Sequence, residues 1–542
     1  MDLSTATKQN PSKQFGVVAV GLLLGGLAFY GANKDVLGLF HDDGIYTVVG
    51  QAIAHGDGYR IASLPTAPPQ TKYPFLYSYL VSWLWVVGPA FPRNIALLKG
   101  LNIAILIAIF FVAVSYYRRH SSDSTVAAVL FATLVCTNPM VFGFTDYVLS
   151  DLLLVLLTLI ALTLSSGGRD PRMPMSRVFL LAAMAGLACL TRTAALPLVI
   201  AGAVYSFLVR GWRGWAAFLF GVAAIYAPWL LWLSARSQQP MGSLFAYYAS
   251  YDVTGGTVSG SATLISSYLT IVAGNARYLL DSFELLFLLP LLPEFGYLIA
   301  IFIAIGMAVS ARRDEAFAGS FFLSSLGLLL VWPFHPGRYL APVIPLLILF
   351  LFLGVMRTRS WLDAKMRKHQ SGLWLANFAW CPVVIVLLLN AVWLSSFLMI
   401  RDERTTRGLY GNRMPYSWAG FEETFAWLRT HAAPGAVLAT AYDPMYYLYT
   451  GRQAIRPALH RPATYFYPYR EAKPDVGTVE EIKPQLEKLH VDYLIIDPLD
   501  GYAEGKATIK LFDEIVESFG NGTEKVFTSA DGKHRIYRIG HN

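Results

Sequence analysis

Long apolar runs separated by short polar breaks fill the chain from residue 15 to 399, and a mixed pattern of shorter period replaces them after Arg401. Apolar runs, several of them close to the ~20 residues that a helix needs to cross a hydrocarbon core, fall at 15–33, 95–116, 126–144, 148–165, 177–191, 194–209, 214–234, 295–310, 316–333, 338–356 and 374–399. The pattern predicts a mainly α polytopic membrane protein of about eleven transmembrane helices. The run at 75–91 differs from the others. Its Phe75, Tyr77, Tyr79, Trp83 and Trp85 are rings suited to headgroup depth. It is read as an interfacial helix on the outer surface, with a conventional crossing as the alternative.

That choice sets the topology. With 75–91 in the interface, nearly every basic cluster falls on one side: Arg118-Arg119, Arg169 to Arg177, Arg210 to Arg213, Arg312-Arg313 and Arg357 to Lys368. The positive-inside rule makes that side cytoplasmic. The first run, preceded by Lys8 and Lys13, has no small-residue cleavage site after it and is read as an uncleaved helix with its N-terminus inside. An odd number of crossings then leaves the C-terminus outside. The loop at 235–293 carries a second interfacial stretch around Tyr278 to Pro293. The expected localisation is the inner (plasma) membrane of a bacterium, with the C-terminal part periplasmic or extracellular.

After Arg401, Gly435 to Thr440 and Val491 to Asp497 read as strands, and 421–431 and 508–519 as amphipathic helices. Lys525 to Ser529 and His534 to Ile539 flank Asp531-Gly532, a hairpin signal. The expected organisation is a transmembrane domain over 1–400 and a small mixed α/β soluble domain over 401–542 on the outer, periplasmic side.

Composition supports this reading and narrows the function. Hydrophobic residues make up 55% of the chain and charged residues 14%, against roughly 25% charged in soluble proteins. The net charge of +8 is divided among loops rather than gathered on one face, which argues against a nucleic-acid partner. Cys136, Cys189 and Cys381 lie in separate apolar runs and form neither a disulfide framework nor a zinc motif. His41, His55 and His335 show no metal-ligand spacing and read as loop residues.

The polar residues that remain gather at one membrane face. Asp42 and Asp43 follow the first run, Lys72 precedes the interfacial helix, Asp146 and Asp151 sit at a turn, Arg192 lies between two short runs, and Arg338 opens another. Ionisable residues at such positions are functional candidates. A carboxylate can take a proton from an acceptor hydroxyl, and Arg and Lys can hold a phosphate and the charge that develops on it. Structural readings stand beside these: Asp42 or Asp43 capping a helix at 44–54, Asp151 capping the next run, and Lys72 and Arg338 snorkelling to headgroups.

These residues carry a resemblance. Asp42-Asp43-Gly44-Ile45-Tyr46, followed by Ala52 and Gly56-Asp57-Gly58-Tyr59, is similar to the Asp-acidic-x-x-Tyr motif of the GT-C membrane glycosyltransferases. The bacterial branch related to protein O-mannosyltransferases and the lipid A aminoarabinose transferase matches best. Lys72-Tyr73-Pro74 resembles that branch's Lys-Pro-Pro segment, with Tyr73 in place of the first Pro. Ser150-Asp151, Leu190-Thr191-Arg192 and Arg338-Tyr339-Leu340-x-Pro342-x-x-Pro345 follow in the same order.

The resemblance implies an integral-membrane transferase, hexosyl or pentosyl, that uses a polyprenyl-phosphate-linked sugar and a lipid, glycan or protein acceptor with a hydroxyl or amine. It implies inversion at the anomeric carbon, with Asp42 as general base and Asp43 in support. Lys72, Arg338 and Arg192 would bind the lipid phosphate, with Tyr339 and Tyr46 beside them. It also allows a divalent cation, Mg or Mn, on Asp43 and Asp151. A transporter or flippase is the alternative from another class; it calls for ionisable residues near the midplane and matched repeat halves, and no such repeat is visible. A non-catalytic scaffold is a third reading.

Overall fold

The computed structural model describes residues 11–120, 124–166, 173–236, 243–245, 248, 261–288, 292, 294–312, 315–332, 337–366, 377–399, 405–407, 413–459, 476–498 and 506–540. Its membrane part contains α1 (Pro11–Gly31), α2 (His41–His55), α3 (Leu76–Val87), α4 (Ile95–His120), α5 (Thr125–Thr137), α6 (Pro139–Gly143) and α7 (Asp151–Ser165). It continues with α8 (Met175–Cys189), α9 (Leu196–Arg236), α10 (Ser261–Leu286), α11 (Glu294–Arg312), α12 (Ala316–Val331), α13 (Ile344–Met366) and α14 (Cys381–Met399).

Among the described residues, six helices are long and apolar enough to cross a membrane, or seven if the pair bent by 58° after Thr137 is one span. Each of the eleven segments expected from the sequence contains helix among the described residues, yet α7, α8 and α12 have only 15, 15 and 16 residues. At 1.5 Å per residue, 15 residues cover about 22 Å of a core about 30 Å thick. The long run from Thr193 to Arg236 is not one rod. Gly211 breaks it with φ +61°, a backbone state that glycine adopts without a Cβ clash. The two arms fold back on each other, with Gly202 of one against the Phe218 ring of the other. Close approach also joins α11 to α13: Gly306 lies on the backbone of Phe350, and Gly354 on that of Phe302. Small residues permit such backbone contact between membrane helices.

The helix α3 is 12 residues long, about 18 Å, which is too short to cross. Tyr77, Ser78, Val81 and Trp85 are buried, while Tyr79, Trp83, Val86 and Val87 are exposed. Its buried face lies on α2, where Val81 meets Gly50 and Trp85 Nε1 donates to the Thr47 carbonyl at 3.1 Å. This amphipathic placement fits the interfacial reading better than a crossing. Of the second expected interfacial stretch, α10 covers only the part up to Leu286, and residues 289–291 and 293 lie outside the described residues.

The C-terminal α/β unit is a five-stranded mixed sheet in the order β4-β3-β5-β7-β6, made of β3 (Val437–Ala439), β4 (Ala454–Ile455), β5 (Val491–Ile496), β6 (Thr523–Thr528) and β7 (Arg535–Ile539). A separate antiparallel ribbon, β1 (Thr405–Arg407) with β2 (Arg413–Ser417), precedes it. Around the sheet lie α15 (Ala419–His431), α16 (Asp443–Thr450), α17 (Val479–Lys488) and α18 (Lys506–Ser518). The antiparallel pair β6–β7 is the hairpin expected at Asp531-Gly532, with Gly532 at φ +73°. The unit docks on the segment between α1 and α3. Ala454 N donates to the Ser63 carbonyl at 2.8 Å, and the Tyr449 hydroxyl accepts from Leu37 N at 3.1 Å and donates to the Asp35 carbonyl at 2.8 Å.

Candidate active site

The site is assembled from polar anchors buried beneath it. Asn102, inside the apolar face of α4, shares its amide hydrogens among the carbonyls of Phe144, Tyr147 and Leu149. Its carbonyl oxygen accepts from the Tyr77 hydroxyl at 3.0 Å. One buried amide thus ties α3 to the turn that delivers Asp151. Buried amides are costly unless matched in this way. Tyr46 adds a second tie through a 2.8 Å hydrogen bond to Ser150 Oγ. Lys72 sits in a comparable frame: Gln70 Oε1 accepts from the backbone N–H of Lys72 and of Tyr73, at 2.8 and 3.2 Å, and Trp232 Nε1 donates to the Gln70 carbonyl.

On this frame the structure brings together Asp42, Lys72, Asp151, Arg192, Arg338 and Tyr339. Arg338 is the bridge. Its Nη1 donates to Asp42 Oδ2 at 3.0 Å, and its Nη2 to Asp151 Oδ2 at 3.2 Å. Arg192 Nη1 donates to Asp151 Oδ2 at 2.5 Å. The Tyr339 ring lies under both guanidinium groups, 5.1 Å from Arg192 and 5.7 Å from Arg338. The other Asp42 oxygen accepts from the Tyr73 hydroxyl at 2.7 Å.

The structural alternatives do not describe these side chains. Phe40 is the N-cap of α2 and Ser150 that of α7, neither with a side-chain cap bond. Asp42 and Asp151 turn to arginines instead. Arg338 and Lys72 do not snorkel: side-chain exposure is 14% for Arg338, and Lys72 is 5% exposed.

Burial raises the Asp42 carboxyl, but Arg338, then Arg192, the Tyr73 hydrogen bond and Lys72 outweigh it and hold the group down at about 2. Burial lowers Lys72, Asp42 restores part of the loss, and Arg456 lowers it again, to about 8. Asp43 is different. Adjacent helical residues project about 100° apart, and no hydrogen bond joins Asp43 to the arginine cluster among the described residues. Burial lifts it most, Lys99 opposes, Asp42 adds to the rise, and the carboxyl reaches about 8. Asp43 thus carries its proton near neutrality.

The consequence for stability can be checked. The unfolded chain releases this proton near 3.8, while the folded chain keeps it to about 8. The contribution is therefore fully present below about 3.8 and is lost as pH rises through about 8. Asp43→Asn imitates the protonated form. Its melting temperature relative to wild type is expected to climb between pH 5 and 8 and level off above, measured by thermal unfolding in detergent. A constant difference would contradict the assignment.

A divalent cation on Asp43 and Asp151 does not fit this donor set. Asp151 gives its oxygens to two arginines, and Asp43 makes no hydrogen bond to that cluster among the described residues. Among the described residues no group of three or more His, Cys, Asp or Glu gathers to hold a metal. A hard cation needs several oxygen ligands.

The Tyr339 ring beneath the two guanidinium groups also lines a small, mostly apolar crevice. Leu154, Leu198, Phe321, Trp332 and Pro342 line it as well.

Several residues of this region escape sequence reasoning. Tyr73, a departure from the motif, is the hydrogen-bond partner of Asp42. Lys99, inside an apolar run, is buried on Asp146 at 3.0 Å, which makes Asp146 part of the frame rather than of the cluster. From the C-terminal unit, Arg456 is buried with its charge acting on Lys72, and Asp443 reaches His41. His41 is thus not a loop residue but the first residue of α2, and His55 is its last. His335 lies outside the described residues. The one sequence signal for this group was position: His41 adjoins the acidic pair.

The chain matches no protein-family model and no curated protein sequence. Its fold is similar to those of several solved structures, among them relatives of the kind that the motif order leads one to expect. It is similar to ArnT from Cupriavidus metallidurans bound to undecaprenyl phosphate, with a TM-score of 0.56 at 14% identity over 97% of each chain. It is similar to the Archaeoglobus fulgidus oligosaccharyltransferase tethered with an acceptor peptide, with a TM-score of 0.53 at 11% identity over 97% of this chain and 74% of that one. A variant of the mycobacterial arabinofuranosyltransferase AftD gives 0.53 at 15% identity over 98% of this chain and 42% of that one. The likeness is one of fold, and the six or seven described helices long and apolar enough to cross support a membrane protein.

Proposed function

We propose that this protein is an integral-membrane glycosyltransferase that moves a sugar from a polyprenyl-phosphate donor to an acceptor hydroxyl or amine, with inversion at the anomeric carbon. The observation that carries this reading is the Arg338 bridge between Asp42 and Asp151, with Arg192 on the same Asp151 and Lys72 in the same charged cluster. Clustered cations among apolar helices suit a phosphate with a lipid tail, and a carboxylate beside them suits the acceptor's proton. The fold it shares with ArnT, an oligosaccharyltransferase and AftD supports the same class.

In this reading the phosphate draws on Arg338, Lys72 and Arg192. The acceptor oxygen or nitrogen forms its bond to the anomeric carbon, the bond from that carbon to the phosphate oxygen breaks, and the acceptor proton passes to Asp42. The phosphate departs with the electron pair and gains a negative charge that the cations stabilise. A carboxylate held at about 2 is a weak base at rest. Two effects make it sufficient: an incoming phosphate competes for Arg338, and the acceptor becomes acidic as its bond to carbon forms. Tyr73 keeps the carboxylate oriented meanwhile. Asp43, Tyr46 and Tyr339 support the site by packing and hydrogen bonding, and no step passes through a metal.

The proposed setting is a bacterial inner membrane, with a transmembrane domain over 1–400 and a periplasmic domain over 401–542. The acceptor is a lipid, glycan or protein, and the sugar a hexose or pentose. The test is incubation of purified protein with a panel of polyprenyl-phosphate sugars and membrane extract. Release of polyprenyl phosphate with labelled sugar on an acceptor is expected. Turnover without a lipid-phosphate donor, or none with any donor, overturns the reading.

A further inference from the structure

Three segments far apart in sequence meet at His41. Its Nε2 is 2.9 Å from Asp443 Oδ1, and the Tyr248 hydroxyl donates to the same oxygen at 2.6 Å. The imidazole also packs on the rings of Tyr248 and Tyr442, with centroids 5.9 and 6.5 Å away. Asp443 is 0% exposed, and its second oxygen is buried without a hydrogen-bond partner. An acid that only served its own helix could remain at the start of α16 and face solvent. This one is buried at a cost that a neutral side chain would avoid, and it faces the residue next to Asp42.

The same short helix presses on the first turns of α2 and the segment before it. A Cβ on Gly44 would lie 2.9 Å from Pro444, and one on Gly38 would lie 2.7 Å from Met445. The backbone beside Asp42 is therefore gripped by α16 from outside and by the Asp443–His41 contact at its start.

We infer that Asp443 is a positioning residue for the transfer reaction. With Tyr248 it fixes the His41 ring, and through it the first turn of α2, so that the Asp42 carboxylate stands at Arg338 and Tyr73. The C-terminal α/β unit is then part of the transfer site, and Tyr248 completes it. The inference rests on the glycosyltransferase reading with Asp42 as base.

The test compares Asp443→Asn, His41→Gln, their double variant and Tyr248→Phe in the full-length purified protein. It measures turnover per folded molecule, donor KM, polyprenyl phosphate binding and melting temperature. A base displaced by about 1 Å costs up to about 10²-fold in rate. Asp443→Asn and His41→Gln are each expected to lower kcat by about 10- to 100-fold, with donor KM changed by less than about threefold. The double variant is expected to be no worse than the worse single one, because the two residues act as a unit. Tyr248→Phe is expected to move kcat the same way by a smaller factor.

A structural role alone lowers the melting temperature and leaves kcat per folded molecule unchanged. That result, or additive losses in the double variant, overturns the proposal. If Asp443→Asn does not fold, His41→Gln and Tyr248→Phe decide, and wild-type kcat in both overturns it. Wild-type turnover with unaffected variants sinks this inference alone. Absence of wild-type turnover with any polyprenyl-phosphate sugar sinks the glycosyltransferase reading and this inference with it.

Discussion

Asp42→Asn lowers the rate of sugar transfer by about 10²- to 10⁴-fold, the contribution of a positioned general base, and leaves polyprenyl phosphate binding at least as tight as in wild type. Both halves of this expectation come from one contact. Asp42 Oδ2 holds Arg338 Nη1 at 3.0 Å, so the carboxylate that takes the proton also occupies a donor the phosphate needs. Asparagine is nearly isosteric and keeps an oxygen for the Tyr73 hydroxyl, but it carries no charge and does not accept the acceptor's proton. Lys72, Arg192 and Arg338 remain, and Arg338 no longer has to be drawn away from an anion. Turnover assayed together with equilibrium binding of polyprenyl phosphate separates the two effects. Full activity in the variant removes Asp42 from the role of base. A parallel loss of binding assigns it to the frame instead.

The adjacency of Asp42 and Asp43 shows how far a sequence carries such a prediction. The pair was legible as an anomaly at the end of an apolar run, and the order of Lys72, Asp151, Arg192 and Arg338 was legible from motifs. Their different fates follow from the helix: neighbours on α2 project in different directions, so one meets arginines and the other meets Lys99 and the interior. The periodicity gave the helical segments and the hairpin at Asp531-Gly532, because these depend on local pattern. It did not give the start of α7, which begins at Asp151 rather than at residue 148. Nor could it give partners. Asp443 lies 402 residues from His41, and Tyr248 falls in the 235–293 stretch that the sequence offers only as a loop. Contacts of that kind are fixed by how the C-terminal unit docks on the membrane part, and no spacing in the chain encodes them. Tyr73 was visible only as a motif mismatch, although its hydroxyl replaces a rigid turn residue with a hydrogen bond to Asp42.

Arg338→Ala is expected to be the other severe lesion, and of a different kind. It leaves Asp42 and Asp151, both buried, without the guanidinium that lies between them. Removing one partner from a buried ionic cluster costs about 3–5 kcal/mol, because the remaining charges stay uncompensated. It also removes a cation from the departing phosphate, for which a loss of about 10²- to 10³-fold in kcat is expected, the scale of one oxyanion donor. Polyprenyl phosphate should bind more weakly, by about 10- to 100-fold, the worth of a charged hydrogen bond. Arg338→Lys should recover only part of this, since an ammonium cannot reach two carboxylates in the planar geometry of the guanidinium. The pH profile gives an independent sign. Arg338 is the strongest cation lowering Asp42, which stands at about 2, so the wild-type kcat/KM should be flat on the acid side down to pH 5. Without Arg338 the Asp42 carboxyl rises, a larger share of it is protonated at a given acidic pH, and the rate should fall as pH is lowered through that range. An unchanged acid limb together with undiminished phosphate binding would mean that Arg338 serves the fold and not the transfer.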